Sequence, residues 1–342
     1  MRALVYDRFG GPIVVRDVPE PVAPSGGVVV RVAASGLCRS DRHAWAGHDD
    51  SVTLPHVPGH ELAGTIASVG EGVTAWHVGD RVTVPFVHGC GTCAWCLAGH
   101  AQVCPDQTQP GFTHPGSHAE LVAVRAADAN LVALPEGIDD AAAASLGCRF
   151  ATAFRALSAR ARLQPGEQVA VWGAGGVGLS AVMIARALGA SVVAVDRSED
   201  ALALALELGA EHAVLAGPEA VAEVVERTHG GAHVSLDAVG SAETATSSVR
   251  SLRRLGRHVQ VGLLAGAPPA LPLDRVIGWE LEVLGSHGMS ARDYPRLLDL
   301  VVHGALRPDL LVRRTVGLAE AATLVGADAP GAGITVLDPR RG

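Results

Sequence analysis

The glycine-rich stretch Gly173-Ala174-Gly175-Gly176-Val177-Gly178 constrains the fold of this chain more than any other part of the sequence. Residues 168–172 before it form a short apolar run typical of a buried strand, and residues 179–188 after it have the composition of a helix. A second apolar strand, residues 191–195, follows and ends in Asp196. A lone G-x-G-x-x-G motif is weak support for any fold. Its position between a strand and a helix, with an acidic residue after the next strand, indicates a dinucleotide-binding domain.

Each residue of this loop has a predicted task. Gly173 and Gly175 permit a tight turn and a close approach of the backbone to a ligand. The loop would then hold a pyrophosphate at the helix N-terminus, where free amides and the helix dipole favour anions. The loop residues in question are Gly173, Gly175, Gly176, Val177 and Gly178. Gly178 also lets the helix pack closely on the preceding strand.

Asp196 and Arg197 bear on the choice of cofactor. A carboxylate at Asp196 accepts hydrogen bonds from both ribose hydroxyls of NAD and repels the additional phosphate of NADP. A guanidinium at Arg197 could instead recruit that phosphate. We favour NAD, with Arg197 lying against the adenine face. An α/β domain that binds no nucleotide is the alternative.

The sequence after about residue 150 alternates strands with helical stretches, the pattern of a parallel sheet covered by helices on both faces. Four further strands are predicted at residues 213–215, 233–237, 257–261 and 281–284, and helices at residues 219–227 and 244–255. Together with the two strands around the glycine loop, they predict a doubly wound, six-stranded parallel sheet.

The sequence before residue 150 consists of short strand-like runs separated by glycine, proline and aspartate. These runs are residues 14–18, 27–33, 62–69 and 80–85. No long amphipathic helix interrupts them, so we expect a β-rich, barrel-like domain that carries its chemistry on loops. The C-terminal part should return to this domain with a helix at residues 293–303 and a strand at residues 333–337. The predicted domains are therefore 1–149, 150–286 and 287–342, in an overall α/β fold.

Composition excludes several classes of protein. A chain of 342 residues with 48% hydrophobic residues can form two cores, and a net charge of −8 without a basic run argues against nucleic acid as a partner. There is no secretory signal and no uninterrupted apolar window of about 18 residues, so we expect a cytoplasmic protein with no membrane partner. All 27 basic residues are arginine. Schiff-base chemistry and a P-loop lysine are thereby excluded.

Four of the six cysteines lie within fifteen residues: Cys90, Cys93, Cys96 and Cys104. Gaps of two residues let successive sulfurs turn towards one centre, and four thiolates form the closed site that a tetrahedral structural Zn²⁺ requires. An iron–sulfur site and a disulfide-linked lobe are the alternatives. We interpret the segment as a lobe held by a structural zinc ion.

The remaining two cysteines stand apart from that lobe. Cys38 belongs to the stretch Gly36-Leu37-Cys38-Arg39-Ser40-Asp41-Arg42-His43, which places a thiol, a hydroxyl, a carboxylate and an imidazole within six residues. A metal ion beside it would explain this combination, although a buried thiol next to a solvated turn explains it equally well. His60, in Gly59-His60-Glu61, and Cys148 supply further side chains of the ligand type.

Together these motifs make the chain resemble the zinc-dependent alcohol dehydrogenases of the medium-chain dehydrogenase/reductase family, and the resemblance runs through nearly its whole length. It implies a GroES-like catalytic domain and a Rossmann domain. Cys38, His60 and Cys148 would bind a catalytic zinc with its fourth position open, so that each chain holds two zinc ions in all. An alcohol on that zinc would lose its proton and donate hydride to NAD.

The resemblance also implies roles for residues close to these ligands. Ser40 would take the alcohol proton and pass it, through the cofactor ribose, to His43 and solvent. Asp41 would orient the imidazole of His60. Glu61 would support the ligands or exchange with one of them.

Further cofactor contacts follow from the same resemblance. Arg39 would pair with the pyrophosphate, and Thr152 would border the nicotinamide. Family members often carry another basic residue near the C-terminal strand, but this chain has Ala-Gly-Ile-Thr at residues 332–335. Cofactor binding is therefore expected to be weaker, or to rest on His287.

The predicted activity is the NAD-dependent, reversible oxidation of primary or secondary alcohols to aldehydes or ketones. Trp45 and Phe86 would line the alcohol pocket and favour modest or flat substrates, with plain core packing as the alternative. These rings count against a polyol or amino-alcohol dehydrogenase. A non-catalytic zinc- and nucleotide-binding protein is disfavoured because it would not need the proton relay of Ser40 and His43. A zinc-free enone reductase is disfavoured because the set of zinc ligands is complete. A homodimer or homotetramer is expected.

Overall fold

The computed structural model of the protein describes residues 1–264, 268–327 and 331–341. Contacts divide the chain into two compact units. The first unit comprises Met1–Ala151, Gly288–Gly304 and Pro308–Gly342, and the second comprises Thr152–His287 and Ala305–Arg307. Domain limits at residues 149 and 286 stay a prediction.

The β-strands of the described residues follow in chain order. They are β1 Arg2–Val5, β2 Val14–Asp17, β3 Val28–Leu37, β4 Glu61–Val69, β5 Arg81–Thr83, β6 Leu121–Val124, β7 Val132–Ala133, β8 Gln168–Trp172, β9 Ser191–Asp196, β10 His212–Leu215, β11 Ala232–Asp237, β12 Leu252–Gln260, β13 Glu282–Gly285, β14 Val312–Val316 and β15 Ile334–Leu337.

The α-helices are mostly short in the first unit and longer in the second. They are α1 Arg39–Trp45, α2 Ala94–Leu97, α3 Ala127–Asn130, α4 Asp140–Ser145, α5 Ala151–Arg155, α6 Gly176–Ala187, α7 Glu199–Glu207, α8 Ala220–Arg227, α9 Ala242–Arg250, α10 Leu273–Gly278, α11 Tyr294–Val302 and α12 Leu318–Leu324. Within the described ranges, none of these helices has the length and apolar character needed to cross a membrane.

Strand β3 is the centre of the sheet in the first unit. The strand order is β14-β15-β3-β4-β5-β7, and β6 also pairs with β3. Val28, Val30 and Val32 of β3 pack with Leu62 and Ile66 of β4 in one buried cluster, since alternate residues of a strand face the same side. The C-terminal strand β15 pairs antiparallel with β3 and so belongs to this sheet.

The second unit contains the predicted six-stranded parallel sheet. Its order is β10-β9-β8-β11-β12-β13, and every neighbouring pair is parallel. Apolar residues of the central strands form its core, among them Ala170, Trp172, Val193 and Val195. The chain winds outward from β8 in both directions, so the carboxyl end of β8 lies where the strand order reverses. Ligands bind at this point in sheets of this kind.

One predicted element is wrong over its last residues. The helix expected at residues 244–255 ends at Arg250, and β12 begins at Leu252. Leu252 is fully buried and pairs with Ala232 of β11, so sheet pairing replaces the last helical turn. Leu255 has a φ of +60°, which a right-handed helix does not allow.

Candidate metal centres and nucleotide-binding loop

Cys38 lies at the corner between β3 and α1, as the residue that caps the helix. The Asp41 carboxylate accepts a hydrogen bond from the Cys38 backbone N at 2.8 Å, which fixes this corner. Its other oxygen accepts from the backbone N of Gly59 at 3.2 Å. One buried carboxylate therefore joins the Cys38 turn to the loop that carries His60.

The structure brings Cys38, His60 and Cys148 together, with Glu61 beside them. Their ligand atoms all lie within 4.8 Å of one another. Nδ1 of His60 lies 2.9 Å from the Asp41 carboxylate, which can only accept, so Nδ1 carries the proton and Nε2 keeps its lone pair. This Nε2 is buried and has no hydrogen-bond partner in the described part of the chain. A buried imidazole lone pair facing two sulfurs is a metal-binding arrangement.

Charged neighbours set the ionisation of Asp41. Burial acts to raise its pKa, but His60, His118 and the hydrogen bonds to the carboxylate bring the pKa to about 2. His118 was not predicted; its Nε2 lies 4.0 Å from Asp41 and 3.3 Å from the carbonyl oxygen of Gly36. Asp41 is therefore a permanent acceptor for the Nδ1 proton of His60.

Cys148 lies on a π-helical turn, Leu146–Phe150, between α4 and α5. Such turns occur frequently at functional sites. A hydrogen bond from the Cys148 thiol, the largest influence, lowers the pKa of Cys38 well below its usual value, although burial opposes this. Two sulfurs and an imidazole nitrogen are ligands that Zn²⁺ prefers, so the donor set fits zinc.

Arg149, which follows Cys148 directly, was not predicted and forms an ion pair with Glu61. Oε1 of Glu61 accepts from the backbone N and Nε of Arg149, both at 3.0 Å, and Oε2 accepts from Nη2. Burial raises the pKa of Glu61, and Arg149 opposes that rise. A Cβ at Gly36 would lie 2.1 Å from Oε2 of Glu61, so glycine there leaves room for the pair.

Arg149 also reaches the neighbourhood of the C-terminal strand. Its Nη1 donates to the carbonyl oxygen of Leu37 at 2.9 Å, and Leu37 pairs with Thr335 of β15. The sequence of β15, Ile-Thr-Val-Leu, contains no basic residue. Arg149 therefore brings a guanidinium close to the strand that lacks one.

Ser40 and His43 both lie on α1. The Cys38 Sγ is 3.8 Å from Ser40 Oγ, so the hydroxyl is adjacent to a candidate ligand. His43 is partly exposed, and its Nδ1 lies 3.3 Å from Nδ1 of His48, which was not predicted. Burial and the nearby Arg39 lower the pKa of His43. No hydrogen bond links Ser40 to His43 within the described residues, and the proton route between them stays a prediction.

Two aromatic rings lie against His60. The Phe86 ring is 6.0 Å from the imidazole, centroid to centroid, at an interplanar angle of 72°. Phe112, which was not predicted, is closer, at 5.2 Å. Trp45 packs on the cluster that contains Phe112, and its Nε1 donates to the carbonyl oxygen of Gly11 at 2.8 Å. These contacts give Trp45 a packing role, and its place in an alcohol pocket stays a prediction.

The four sulfurs of the cysteine lobe converge on one centre. Sγ of Cys90 is 3.9 Å from that of Cys96, and Sγ of Cys93 is 3.7 Å from that of Cys104. Four sulfurs at about 2.3 Å from a tetrahedral zinc are separated by about 3.8 Å. All four are free thiols, and these separations far exceed the roughly 2.05 Å of a disulfide bond. The lobe thus fits a metal ion and not a pair of disulfides.

The glycine loop has the geometry that its sequence predicts. Gly173 has a φ of +98°, and a Cβ at Gly178 would lie 1.7 Å from the carbonyl oxygen of Gly173. Both positions therefore require glycine. Helix α6 begins at Gly176, with Gly175 as its cap, and a Cβ at Gly175 would meet nothing within 4 Å. The space at Gly175 is available to a ligand at the helix N-terminus.

Asp196 closes this loop from the end of β9. Its carboxylate accepts from the backbone N of Ala174 at 2.6 Å and from that of Ser198 at 2.9 Å. The neighbouring Arg197 is exposed. The carboxylate is thus fixed beside the glycine loop, at the carboxyl edge of the sheet.

Three other predicted cofactor contacts lie apart in sequence. Arg39 is exposed at the start of α1, Thr152 is buried in α5, and His287 is exposed two residues after β13. Their convergence on one cofactor stays a prediction.

Comparisons with known proteins agree with this arrangement. Residues 176–303 match the family model of the zinc-binding dehydrogenases, and residues 24–136 match that of the alcohol dehydrogenase GroES-like domain. An alcohol dehydrogenase of Geobacillus stearothermophilus is 35% identical over 311 residues, which cover 90% of each chain. A sorbitol dehydrogenase of Halalkalibacterium halodurans is 33% identical over 326 residues, 94% of each chain. The fold matches a solved NAD-dependent alcohol dehydrogenase with a TM-score of 0.90 at 32% identity, covering 99% of each chain.

Proposed function

The chain belongs to the zinc-dependent alcohol dehydrogenases of the medium-chain dehydrogenase/reductase family and is an oxidoreductase, and from that premise we propose that it transfers hydride between a primary or secondary alcohol and NAD. The product is the aldehyde or ketone, and the reaction is reversible. The observation that carries the proposal is the cluster of Cys38, Cys148 and the buried His60, in which Nε2 of His60 lacks any hydrogen-bond partner among the described residues.

These three residues are proposed to hold the catalytic zinc, with one tetrahedral position left for the substrate oxygen. When bound, zinc supplies a Lewis acid that lowers the pKa of the alcohol. Asp41 keeps the Nε2 of His60 available by accepting the proton of Nδ1. Arg149 neutralises Glu61 and holds it in an ion pair, so that this carboxylate does not occupy the position meant for substrate.

Removal of the alcohol proton is assigned to side chains of α1. Ser40, adjacent to the ligand Cys38, accepts the proton from the alcohol. His43 releases it to solvent and shares it with His48, 3.3 Å away. The lowered pKa of His43 keeps the imidazole neutral near neutral pH, as a proton acceptor must be.

Cofactor binding is assigned mainly to the second unit. Residues Gly173 to Gly178 and the N-terminus of α6 hold the pyrophosphate. Asp196 accepts hydrogen bonds from the ribose hydroxyls and so selects NAD over NADP. When bound, NAD accepts the hydride. Further contacts are proposed for Arg39, Thr152, Arg197 and His287.

Three broader features belong to the same proposal. The cysteine lobe holds a second, structural zinc, which gives two zinc ions per chain. The enzyme is a homodimer or homotetramer, and it works in the cytoplasm.

A polyol or amino-alcohol substrate is the second candidate, favoured by the similarity to a sorbitol dehydrogenase. The aromatic rings of Phe86 and Phe112, which both lie near His60, favour an apolar alcohol instead.

NADH formation over a panel of simple alcohols and polyols, with NAD and with NADP, tests the proposal. We expect turnover of apolar alcohols with NAD and its loss when a chelator removes the zinc. Full activity after complete zinc removal would overturn the mechanism, and faster turnover of polyols would favour the second candidate. A Ser40→Ala enzyme should lose activity while it keeps both zinc ions, whereas His100→Ala, at an exposed position in the cysteine lobe, should keep its activity.

A further inference from the structure

A cavity of about 400 Å³ lies at the amino ends of strands in the second unit. Glu167 directly precedes β8, His233 lies at the start of β11, and Glu282 begins β13. Because these strands are parallel, their amino ends meet at one edge of the sheet, opposite the edge that carries the glycine loop. We propose that this cavity binds a phosphate group, free or as the ester of a small metabolite.

An irregularity in β12 builds the cavity. Leu252 pairs with Ala232 of β11, but the next pair is Arg257 with Val234, so four residues of β12 lie opposite His233 alone. These four residues, 253–256, form a wide bulge. A Cβ at Gly231 would lie 2.6 Å from the backbone N of Arg253, so only glycine lets the bulge approach β11 this closely.

Backbone strain accompanies the bulge. Leu255 has a φ of +60°, although its side chain is 68% exposed and gains little from packing. The backbone N of Leu255 donates to the carbonyl oxygen of Trp279 at 2.9 Å, which holds the bulge in place. Bulges and left-handed residues other than glycine recur where a strand must aim a side chain at a ligand. Here they present Arg253 and Arg254 to the cavity.

Positive charge exceeds negative charge in this cavity. Its lining contains four arginines and two glutamates. Two arginines are paired with the glutamates: Arg257 with Glu167 and Arg162 with Glu282. Arg253 and Arg254 have no carboxylate partner in the described ranges of the chain. The cavity therefore carries a surplus of positive charge on a protein whose net charge is −8.

The hydrogen bonds of His233 point to a missing acceptor. The backbone N of Gln168 donates to Nδ1 at 3.1 Å, so the proton of the neutral imidazole must be on Nε2. Nη1 of Arg253 lies only 2.8 Å from this Nε2, and a guanidinium nitrogen is also a donor. Two donors face each other without an acceptor between them. An anion beside both groups would accept a hydrogen bond from each.

The chemistry of the cavity suits a phosphate group. Arginine donates to phosphate oxygens through a planar fork, and the imidazole N–H of His233 adds a neutral donor. The volume lies in the range of small-molecule sites and exceeds what a free phosphate fills. Leu255, which lines the cavity and is 68% exposed, offers an apolar surface to the organic part of an ester. A small phosphate monoester uses all of these features.

Calorimetric titration of the zinc-loaded, full-length enzyme with inorganic phosphate and with glycerol phosphate tests the proposal. Saturating NAD keeps both probes away from the glycine loop, and ionic strength is held constant. For at least one probe we expect one site per chain with a Kd of about 1 mM or tighter. Arg253→Gln should weaken binding about tenfold or more, because it removes charge-assisted hydrogen bonds. Arg227→Gln, an exposed arginine of α8 paired with Glu223, should leave binding unchanged.

Arg254→Gln, measured in parallel, provides a second variant if Arg253→Gln fails to fold. Binding of phosphate alone would assign the site to the free anion, and tighter binding of glycerol phosphate would assign it to an ester. The proposal is overturned if neither probe binds saturably up to about 10 mM. It is overturned equally if both cavity variants bind as the unchanged enzyme does, or if Arg227→Gln weakens binding to the same extent.

Discussion

The two ring nitrogens of His60 have different surroundings, and the proposed catalytic zinc site depends on that difference. Nδ1 donates to Asp41, which lies in a turn of α1, while Nε2 faces the sulfurs of Cys38 and Cys148. The carboxylate fixes the tautomer and makes the imidazole a better ligand. A change at Asp41 should therefore act on the metal, which it does not touch.

Asp41→Asn should lower the affinity of the catalytic site for zinc by about 10- to 100-fold, because an amide can present a donor to Nδ1 where the carboxylate only accepts. Competition with a chromophoric chelator measures this affinity. Asp49→Asn is the matched control, since Asp49 bonds the hydroxyl and backbone N of Ser51 at the surface. Unchanged zinc affinity in Asp41→Asn would contradict the role assigned to the carboxylate.

Arg149 and Glu61 form a buried ion pair next to the candidate ligands. Arg149→Met should destabilise the protein by about 3–5 kcal/mol, because the Glu61 carboxylate would stay buried without a counter-charge. The free energy of unfolding in urea measures this loss. Combining Arg149→Met with Glu61→Gln should restore part of the lost stability. As a control, Arg16→Met breaks an exposed ion pair with Asp7 and should change stability little. A loss in the double variant as large as in the single variant would show that the charge is not the cause.

At single residues, the sequence identifies candidate metal ligands that the structure brings together, because cysteine and histidine are chemically distinctive. Arg149 and His118 were missed because no spacing rule relates them to their partners. Glu61 and Arg149 are 88 residues apart, and only the packing of the π-helical turn against β4 joins them. The position of Arg149 immediately after the candidate ligand Cys148 was the one signal available.

Among the elements, five of the six parallel strands of the second unit were predicted to within one residue at each end, because most of them are short runs rich in apolar residues. The sixth, β12, begins five residues before its predicted start. The C-terminal end of α9 was predicted five residues too late. Residues 251–255, Ser-Leu-Arg-Arg-Leu, have helical propensity, and only the pairing of Leu252 with Ala232 and the left-handed Leu255 reveal a bulged strand. Tertiary contacts overrode local preference there.

The strand–loop–helix element around the glycines permits a test that separates folding from cofactor binding. Gly178→Ala places a methyl group 1.7 Å from the carbonyl oxygen of Gly173, so it should destabilise the cofactor-free protein by about 1–3 kcal/mol. At Gly175 a Cβ meets no protein atom within 4 Å. Gly175→Ala should therefore leave the thermal unfolding of the cofactor-free protein almost unchanged and weaken NAD binding. Calorimetric unfolding and NAD titration measure the two effects, and equal destabilisation by both substitutions would contradict this division.

Over the whole molecule, buried neutral histidines make stability depend on pH. Burial lowers the pKa of His56, His88 and His258, that of His88 to about 3. In the unfolded chain these groups return to about 6.5, so below that pH the unfolded state binds more protons than the folded state. The stabilisation that comes from keeping these histidines neutral is fully present above about pH 6.5. Below that pH the free energy of unfolding falls, by up to about 1.4 kcal/mol per pH unit for each such histidine.

His258 tests this effect without a change to any candidate zinc ligand, because it belongs to the second unit and all of those ligands belong to the first. Its Nδ1 is 3.0 Å from the Ser248 hydroxyl, and its Nε2 is 3.3 Å from Oε1 of Gln260. His258→Gln should lose less stability between about pH 7 and pH 5.5 than the unchanged protein, as followed by urea unfolding. An identical pH dependence in both proteins would show that His258 does not contribute.

The account depends most on one claim, that Cys38, His60 and Cys148 hold a metal ion separate from the ion in the cysteine lobe. Anomalous diffraction at the zinc absorption edge from crystals of the zinc-loaded enzyme tests it directly. Two peaks per chain are predicted, one in the cysteine lobe and one about 2.3 Å from both sulfurs and about 2.0–2.1 Å from Nε2 of His60. A single peak in the lobe, with density for Cys38, His60 and Cys148 but no zinc between them, would contradict it.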